Sequence, residues 1–201
     1  MAQASSERAS NKARGFASGP RGGRDCPLTD GHLLALLGGA DPDLLAAISI
    51  LALSGMRLAE LRRLRVAQCG RGAFRVGACA ANDGPREVPV HSALAGTIAR
   101  LTRGRAKDAF LIAEGADFGK SRSALERRFD ACRAAVGVVG ASQGIHGLRR
   151  WFVRTAMDAE QPHDAIAAVV GLLRPADARP KPTWGQRCAC VEAVELPKAA
   201  L

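Results

Sequence analysis

Apolar positions in this chain recur mostly at helical spacing, broken once by a short stretch of strand-like alternation. Asp30 can cap a short helix with Leu33, Leu34 and Leu37 turned inward. Asp41-Pro42-Asp43 is a stronger start: a cap, a proline in the first turn, and an acid at the positive end of the dipole. Leu44, Ile48 and Leu51 then share one face, and Ser54-Gly55 ends the helix. A short helix follows from Arg57 to about Leu64. The period then changes. Ala73 to Ala78 and Arg86 to Val90 read as two strands, with Asn82-Asp83-Gly84 as the turn between them. Pro89 restricts the second strand to a sheet edge. Helical spacing resumes at Leu94, Ile98 and Leu101. Ser123 and Glu126 form a capping box for a helix to about Val136, with Leu125, Phe129 and Cys132 in its apolar stripe and Gly137 at its stop. Further helices are expected near Ile145, after Gln161-Pro162, and from Gln186 to about Leu196. The expected fold is mainly α with one small antiparallel β-hairpin.

Composition adds organisation to this pattern. Residues 1–26 lack periodicity and carry five bases against two acids, so a flexible basic arm is expected there. Residues 27–172 hold the periodic segments. Residues 173–201 begin with Pro175, Pro180 and Pro182, which forbid a long helix, before the short terminal one. The longest apolar run, Leu44 to Leu53, is half of what crosses a bilayer, so no membrane partner is expected. Six cysteines show no CxxC pair. Reduced thiols in a cytoplasmic protein, with no metal and no cofactor, are the expectation.

The charge is lopsided. The 201 residues carry a formal net charge of +10, with 29 Lys plus Arg against 19 Asp plus Glu. Residues 57–75 hold six arginines against Glu60, and residues 120–154 hold eight bases against Glu126 and Asp130. Arginine forks match phosphate oxygens in two-point contacts, so double-stranded DNA is the expected partner. Arg86, Arg127, Arg128 and Arg150 are the expected DNA-binding side chains. A solvated basic surface is the plain alternative.

Two short motifs sharpen the choice. In Ser54-Gly55-Met56-Arg57-Leu58-Ala59-Glu60-Leu61, an arginine follows a helix stop, with Glu60 on its own face. In His146-Gly147-Leu148-Arg149-Arg150, His146 and Arg149 share a helical face while Ile145, Leu148 and Phe152 bury the other. Two guanidiniums and an imidazole on one phosphate suit phosphoryl transfer: the arginines neutralise oxygen charge and the histidine orients or moves a proton. The alternative for each motif alone is a surface Arg57–Glu60 ion pair and a helix-capping His146.

With both motifs in this order, residues 28–172 resemble the catalytic domain of the tyrosine recombinases, the phage-integrase family. Arg57 matches the first catalytic arginine in a segment like "TGxRxxEL", and His146 and Arg149 match the HxxR box. The hairpin, and Val88-Pro89-Val90 after Arg86, fit as well. The resemblance implies a tyrosine-recombinase-like catalytic domain acting in DNA recombination and integration, with Arg57, His146 and Arg149 as catalytic residues. It leaves no room for the family's core-binding domain before Pro27, as in the family's solo catalytic domains. Three positions depart. The hairpin lysine falls near Ala81, and no Lys occurs between 12 and 107. The Gly-His ahead of the nucleophile reads Gly171-Leu172. The nucleophilic tyrosine should fall near Lys181, and the chain contains no Tyr. Losing one member of a catalytic unit can cost on the order of 10⁶ in rate.

The expected function is therefore DNA binding by a recombinase-like, nucleoid-associated pseudoenzyme that does not cleave DNA alone. It would work as a remnant or a modulator, alone or in a homo- or hetero-oligomer with an active recombinase. One alternative is an active recombinase completed by a partner's Tyr. Another is a small regulator whose helix 123–136 reads a groove in helix-turn-helix fashion. Cys188, Cys190 and Thr183 lie near the nucleophile's place but have no activating base in the sequence. A local deletion or compensated frameshift after Gly171 would also account for the missing motif. RNA binding is disfavoured by the scarcity of aromatic stacking surfaces.

Overall fold

The computed structural model describes residues 26–77, 84–112, 123–172 and 181–198. The expected arm, the Asn82-Asp83 turn, Ala81, Cys79 and the proline block around Pro175 to Pro180 lie outside these residues.

The architecture is mostly helical with one small antiparallel sheet. Its helices are α1 (Asp30–Gly39), α2 (Pro42–Ser54), α3 (Leu58–Arg63), α4 (Ala95–Thr102), α5 (Ala124–Ala135), α6 (His146–Asp158), α7 (His163–Val170) and α8 (Trp184–Glu192). The strands are β1 (Cys69–Gly70), β2 (Ala73–Val76) and β3 (Arg86–Pro89).

α2 is the axis of the core. Asp41 caps it through Oδ1, which accepts from the N–H groups of Asp43 and Leu44, with Pro42 at the first turn. The expected stripe of Leu44, Ile48 and Leu51 is buried, but so are Ala46, Ala47, Ile50, Ala52 and Leu53, because α6, α1, α3 and α5 pack around it. A helix apolar on nearly every face belongs at the centre of a bundle. α6 contributes Leu148, Trp151, Phe152 and Ala156 to that core, and α5 contributes Leu125, Phe129 and Cys132.

β1, β2 and β3 form an antiparallel sheet in that order, with Ala73 opposite Pro89 and Val76 opposite Arg86. Pro89 therefore sits on an edge strand, where a missing N–H breaks no ladder. α7 and α8 pack against β3 and against each other, burying Val169, Val170, Cys190, Val191 and Val194. Glu192 holds the end of α8 by accepting from Ser92 N and Ser92 Oγ, both at 2.7 Å.

Several local expectations need correction. Thr29, not Asp30, caps α1: its hydroxyl accepts from His32 N, while Asp30 instead accepts from Trp151 Nε1 at 2.7 Å. Leu33 and Leu36 are the buried leucines of α1, because the helix meets α5 with that face. The hairpin has a third, two-residue strand. α8 starts at a Thr183/Gln186 capping box and ends at Glu192, earlier at both ends than expected. Among the described residues no helix is long and apolar enough to cross a membrane, and no His/Cys/Asp/Glu group could hold a metal ion.

Candidate functional site: an arginine corner

The corner begins where α2 stops. Gly55 takes a left-handed conformation, φ 59°, and donates back to Leu51 O. A Cβ there would lie 2.6 Å from Phe152 Cδ1 and 2.9 Å from Val170 Cγ1, so only glycine fits both the turn and the packing. Ser54, fully buried, satisfies its hydroxyl on Ile50 O and accepts from Met56 N. The turn delivers Arg57 to the start of α3, with Glu60 one turn further on.

Glu60 is the hub. Its side chain is 0% exposed. It accepts from the backbone N–H of Arg57 at 2.8 Å and from Arg57 Nη1 at 3.2 Å. Arg86, at the start of β3, grips the same carboxylate with both arms of its fork, at 2.8 and 2.9 Å. Arg86 Nε donates to Val169 O at 3.0 Å, so this residue ties α3, β3 and α7 together. Gly171, φ 73°, lies flat against it: a Cβ there would sit 2.8 Å from Arg86 Cζ. A buried carboxylate needs this many donors, since removing a charge from water without partners costs several kcal/mol.

α6 supplies the third guanidinium. Arg149 Nη1 donates to Gly55 O at 2.7 Å, the carbonyl at the helix stop. Burial draws its pKa down to about 10; the charges of Arg57 and Arg86 push the same way, and Glu60 opposes them. His146 opens α6 one turn before Arg149 and is exposed. Among the described residues, Nε and Nη2 of Arg57 and of Arg149 have no protein partner. Two guanidiniums thus pair with one carboxylate, a third lies within reach of its charge, and Arg57 and Arg149 keep open donors.

The sequence-read residues separate into groups. The corner gathers Arg57 and Arg149, with His146 on the same helical face as Arg149. The Arg57–Glu60 pair is no surface ion pair, because Glu60 is inaccessible. His146 is not the cap residue of α6, a place held by Ile145. Arg86, expected to face DNA, is 11% exposed and has all three nitrogens engaged by protein, because β3 aims it inward at the buried Glu60 carboxylate. Arg127 lies exposed on α5, whereas Arg128 pairs with Asp41 at the far end of α2, about 20 Å along the helix from Gly55. Arg150 is exposed and donates to Ser142 O at 2.8 Å, beside the start of α6. Glu60 as a shared hub was missed. Its sign was a single acid set among Leu58, Leu61 and Leu64, all buried.

The alternative nucleophiles fare poorly. Burial raises the Cys190 thiol to about 11 and also raises that of Cys188. The Thr183 hydroxyl is the cap of α8, accepting from Gln186 N. Leu172, where the resemblance would place a histidine, is 43% exposed. On the outer side of Arg86 an open cleft of about 480 Å³ runs between the sheet and α8, lined by Gln68, Arg75, Glu87 and Arg187.

No family model matches the chain, and no curated protein matches its sequence. Solved structures do match its fold. The integrase of mycobacterium phage Brujita superposes with a TM-score of 0.69 at 18% identity, over 94% of this chain and 64% of its own. A lambda integrase (75–356) dimer bound to a COC′ core site gives 0.61 at 16% identity, over 84% and 65%. The lambda integrase catalytic core gives 0.56 at 18% identity, over 72% of this chain and 94% of its own. The chain spans less than two thirds of the length of the first two. The fold is integrase catalytic-domain-like.

Proposed function

We propose that this chain is a DNA-binding domain of the tyrosine-recombinase type that holds a backbone phosphate in the Arg57–Arg149 corner and does not cut the strand by itself. The observation that carries the reading is the charge of the corner. Among the described residues, Arg57 and Arg86 pair with one buried carboxylate and Arg149 lies within reach of its charge, so the corner keeps two excess positive charges, and open N–H donors remain on Arg57 and Arg149. An anion is the natural complement of such a site, and guanidinium forks suit phosphate oxygens. His146, exposed one turn from Arg149, would donate to the same phosphate. Arg127 and Arg150 would meet further phosphates, Arg128 stays on Asp41, and Arg86 acts as the brace that sets Glu60. The fold shared with integrases, one of them a lambda integrase dimer bound to a COC′ core site, supports DNA as the partner.

Cleavage in this family stores a phosphodiester on a tyrosine, and this chain contains none. Burial raises both thiols near the expected position, which opposes their use as nucleophiles. A gel shift at two salt concentrations, run beside covalent trapping on a nicked suicide duplex, tests the proposal. A salt-sensitive shift without an adduct is expected, and an adduct formed by this chain alone would overturn it. Adduct formation only after adding an active recombinase would favour a partner's tyrosine instead. The groove-reading alternative for α5 finds less support, because Arg128 and Arg133 of that helix engage Asp41 and Asp130.

A further inference from the structure

Resting on that reading, we infer that the corner selects a terminal phosphate of DNA, a phosphomonoester at a nick or an end, over the phosphodiester of a continuous strand. Charge matching at one site favours the monoester. A phosphodiester carries a single negative charge; a phosphomonoester carries about −1.5 to −2 near pH 7, because its second ionisation lies near 6. The Glu60 carboxylate is already shared by Arg57 and Arg86 and cannot neutralise Arg149 as well. Among the described residues Arg149 bonds only a carbonyl, Gly55 O, and burial and like charge, which a ligand would relieve, lower its proton affinity. The Nε and Nη2 groups left open on Arg57 and Arg149 are four donor nitrogens, and a monoester offers them three charged oxygens where a diester offers two.

The positions around the corner point the same way. No tyrosine is present to occupy the space next to the phosphorus, and the residue after Gly171 is the half-exposed Leu172, which donates nothing through its side chain. Both leave the phosphate to the guanidiniums and to His146. A chain that cannot break a strand has no need to distinguish a scissile diester, and its excess charge is best matched by an end that is already cut.

The test uses the full chain and one duplex sequence in four forms: continuous, nicked with a 5′-hydroxyl, nicked with a 5′-phosphate and nicked with a 3′-phosphate. Affinities are read by fluorescence anisotropy at pH 7.5 and pH 5.5. Inorganic phosphate serves as the free-anion arm, read by the rise in melting temperature. At least one phosphorylated nick should bind about tenfold or more tightly than the hydroxyl nick, an advantage that shrinks at pH 5.5 as the monoester loses its second charge. Arg149→Lys keeps the charge but loses the fork, and it should erase the advantage; Arg57→Lys is the second variant should the first fail to fold. Equal binding of all four duplexes overturns the inference and leaves DNA binding standing. Stabilisation by inorganic phosphate with no binding of any duplex overturns the inference and the proposed function together. Failure of every duplex and of free phosphate does the same.

Discussion

Two arginine-rich regions of this protein look alike in the sequence and behave differently in the fold. On α5, the bases answer to nearby acids: Arg133 pairs with Asp130 one turn away, and Arg128 pairs with Asp41 at the start of α2. These pairs are partly exposed, and such pairs contribute little to stability. At the corner of α3, β3 and α6, two arginines grip one inaccessible carboxylate and a third lies within reach of its charge, so that among the described residues positive charge remains over. Arginine density therefore does not mark the site. What marks it is a ratio, more guanidiniums than counter-charges, held in place by a buried acid and two glycines with no room for a side chain.

The strongest way to break this comparison is to remove the two carboxylates in turn. Glu60→Gln leaves three guanidiniums without their buried counter-charge and should cost about 3–5 kcal/mol in urea unfolding, against less than about 1 kcal/mol for Asp130→Asn. Similar losses would mean that the corner is no more built than α5. The helix stops offer a second contrast. Gly55 and Gly137 both adopt positive φ, but a Cβ meets Phe152 at Gly55 and open space at Gly137. Gly55→Ala should cost about 3 kcal/mol, from backbone strain plus overpacking, and Gly137→Ala about 1 kcal/mol, from strain alone. Thermal unfolding of the two variants checks the difference.

A smaller effect is expected at the far end of α2. Asp41→Ala removes a helix cap and should cost about 1 kcal/mol at pH 7. Hydrogen bonding from Arg128, joined by the Leu44 N–H, holds the Asp41 carboxyl below its usual value. A depressed carboxylate stabilises the fold above its unfolded pKa, about 3.9, and that contribution disappears as pH falls through the lower folded value. Unfolding curves of Asp41→Ala and the unaltered chain should therefore converge in strong acid. Smallest of all, Glu192→Gln should leave global stability nearly intact while hydrogen exchange quickens in α8, since it weakens the ties to Ser92 and His91 at the end of that helix.

Much of the fold is written in local signals. The Asp41-Pro42 start, the Ser123/Glu126 box and the Gly55 and Gly137 stops act within a few residues, and each is found where its chemistry places it. Thr29 displaced Asp30 as a cap because Asp30 had a distant alternative in the Trp151 indole, which no local pattern reveals. β1 is only two residues long, too short for alternation to register. For the site, Arg57, His146 and Arg149 stand in recognisable motifs. The union of Arg86 with Glu60 across 26 residues does not, because it depends on the register of β3 against β2 and on how α7 packs on β3.

The central claim is that Arg149 meets a DNA phosphate. The direct measurement is duplex affinity as a function of salt, for the unaltered chain and for Arg149→Ala. Removing one neutralised phosphate should lower the log–log slope by about 0.9 and weaken binding at every salt concentration, with Arg128→Ala changing the slope by less. A slope unchanged by Arg149→Ala would contradict the account.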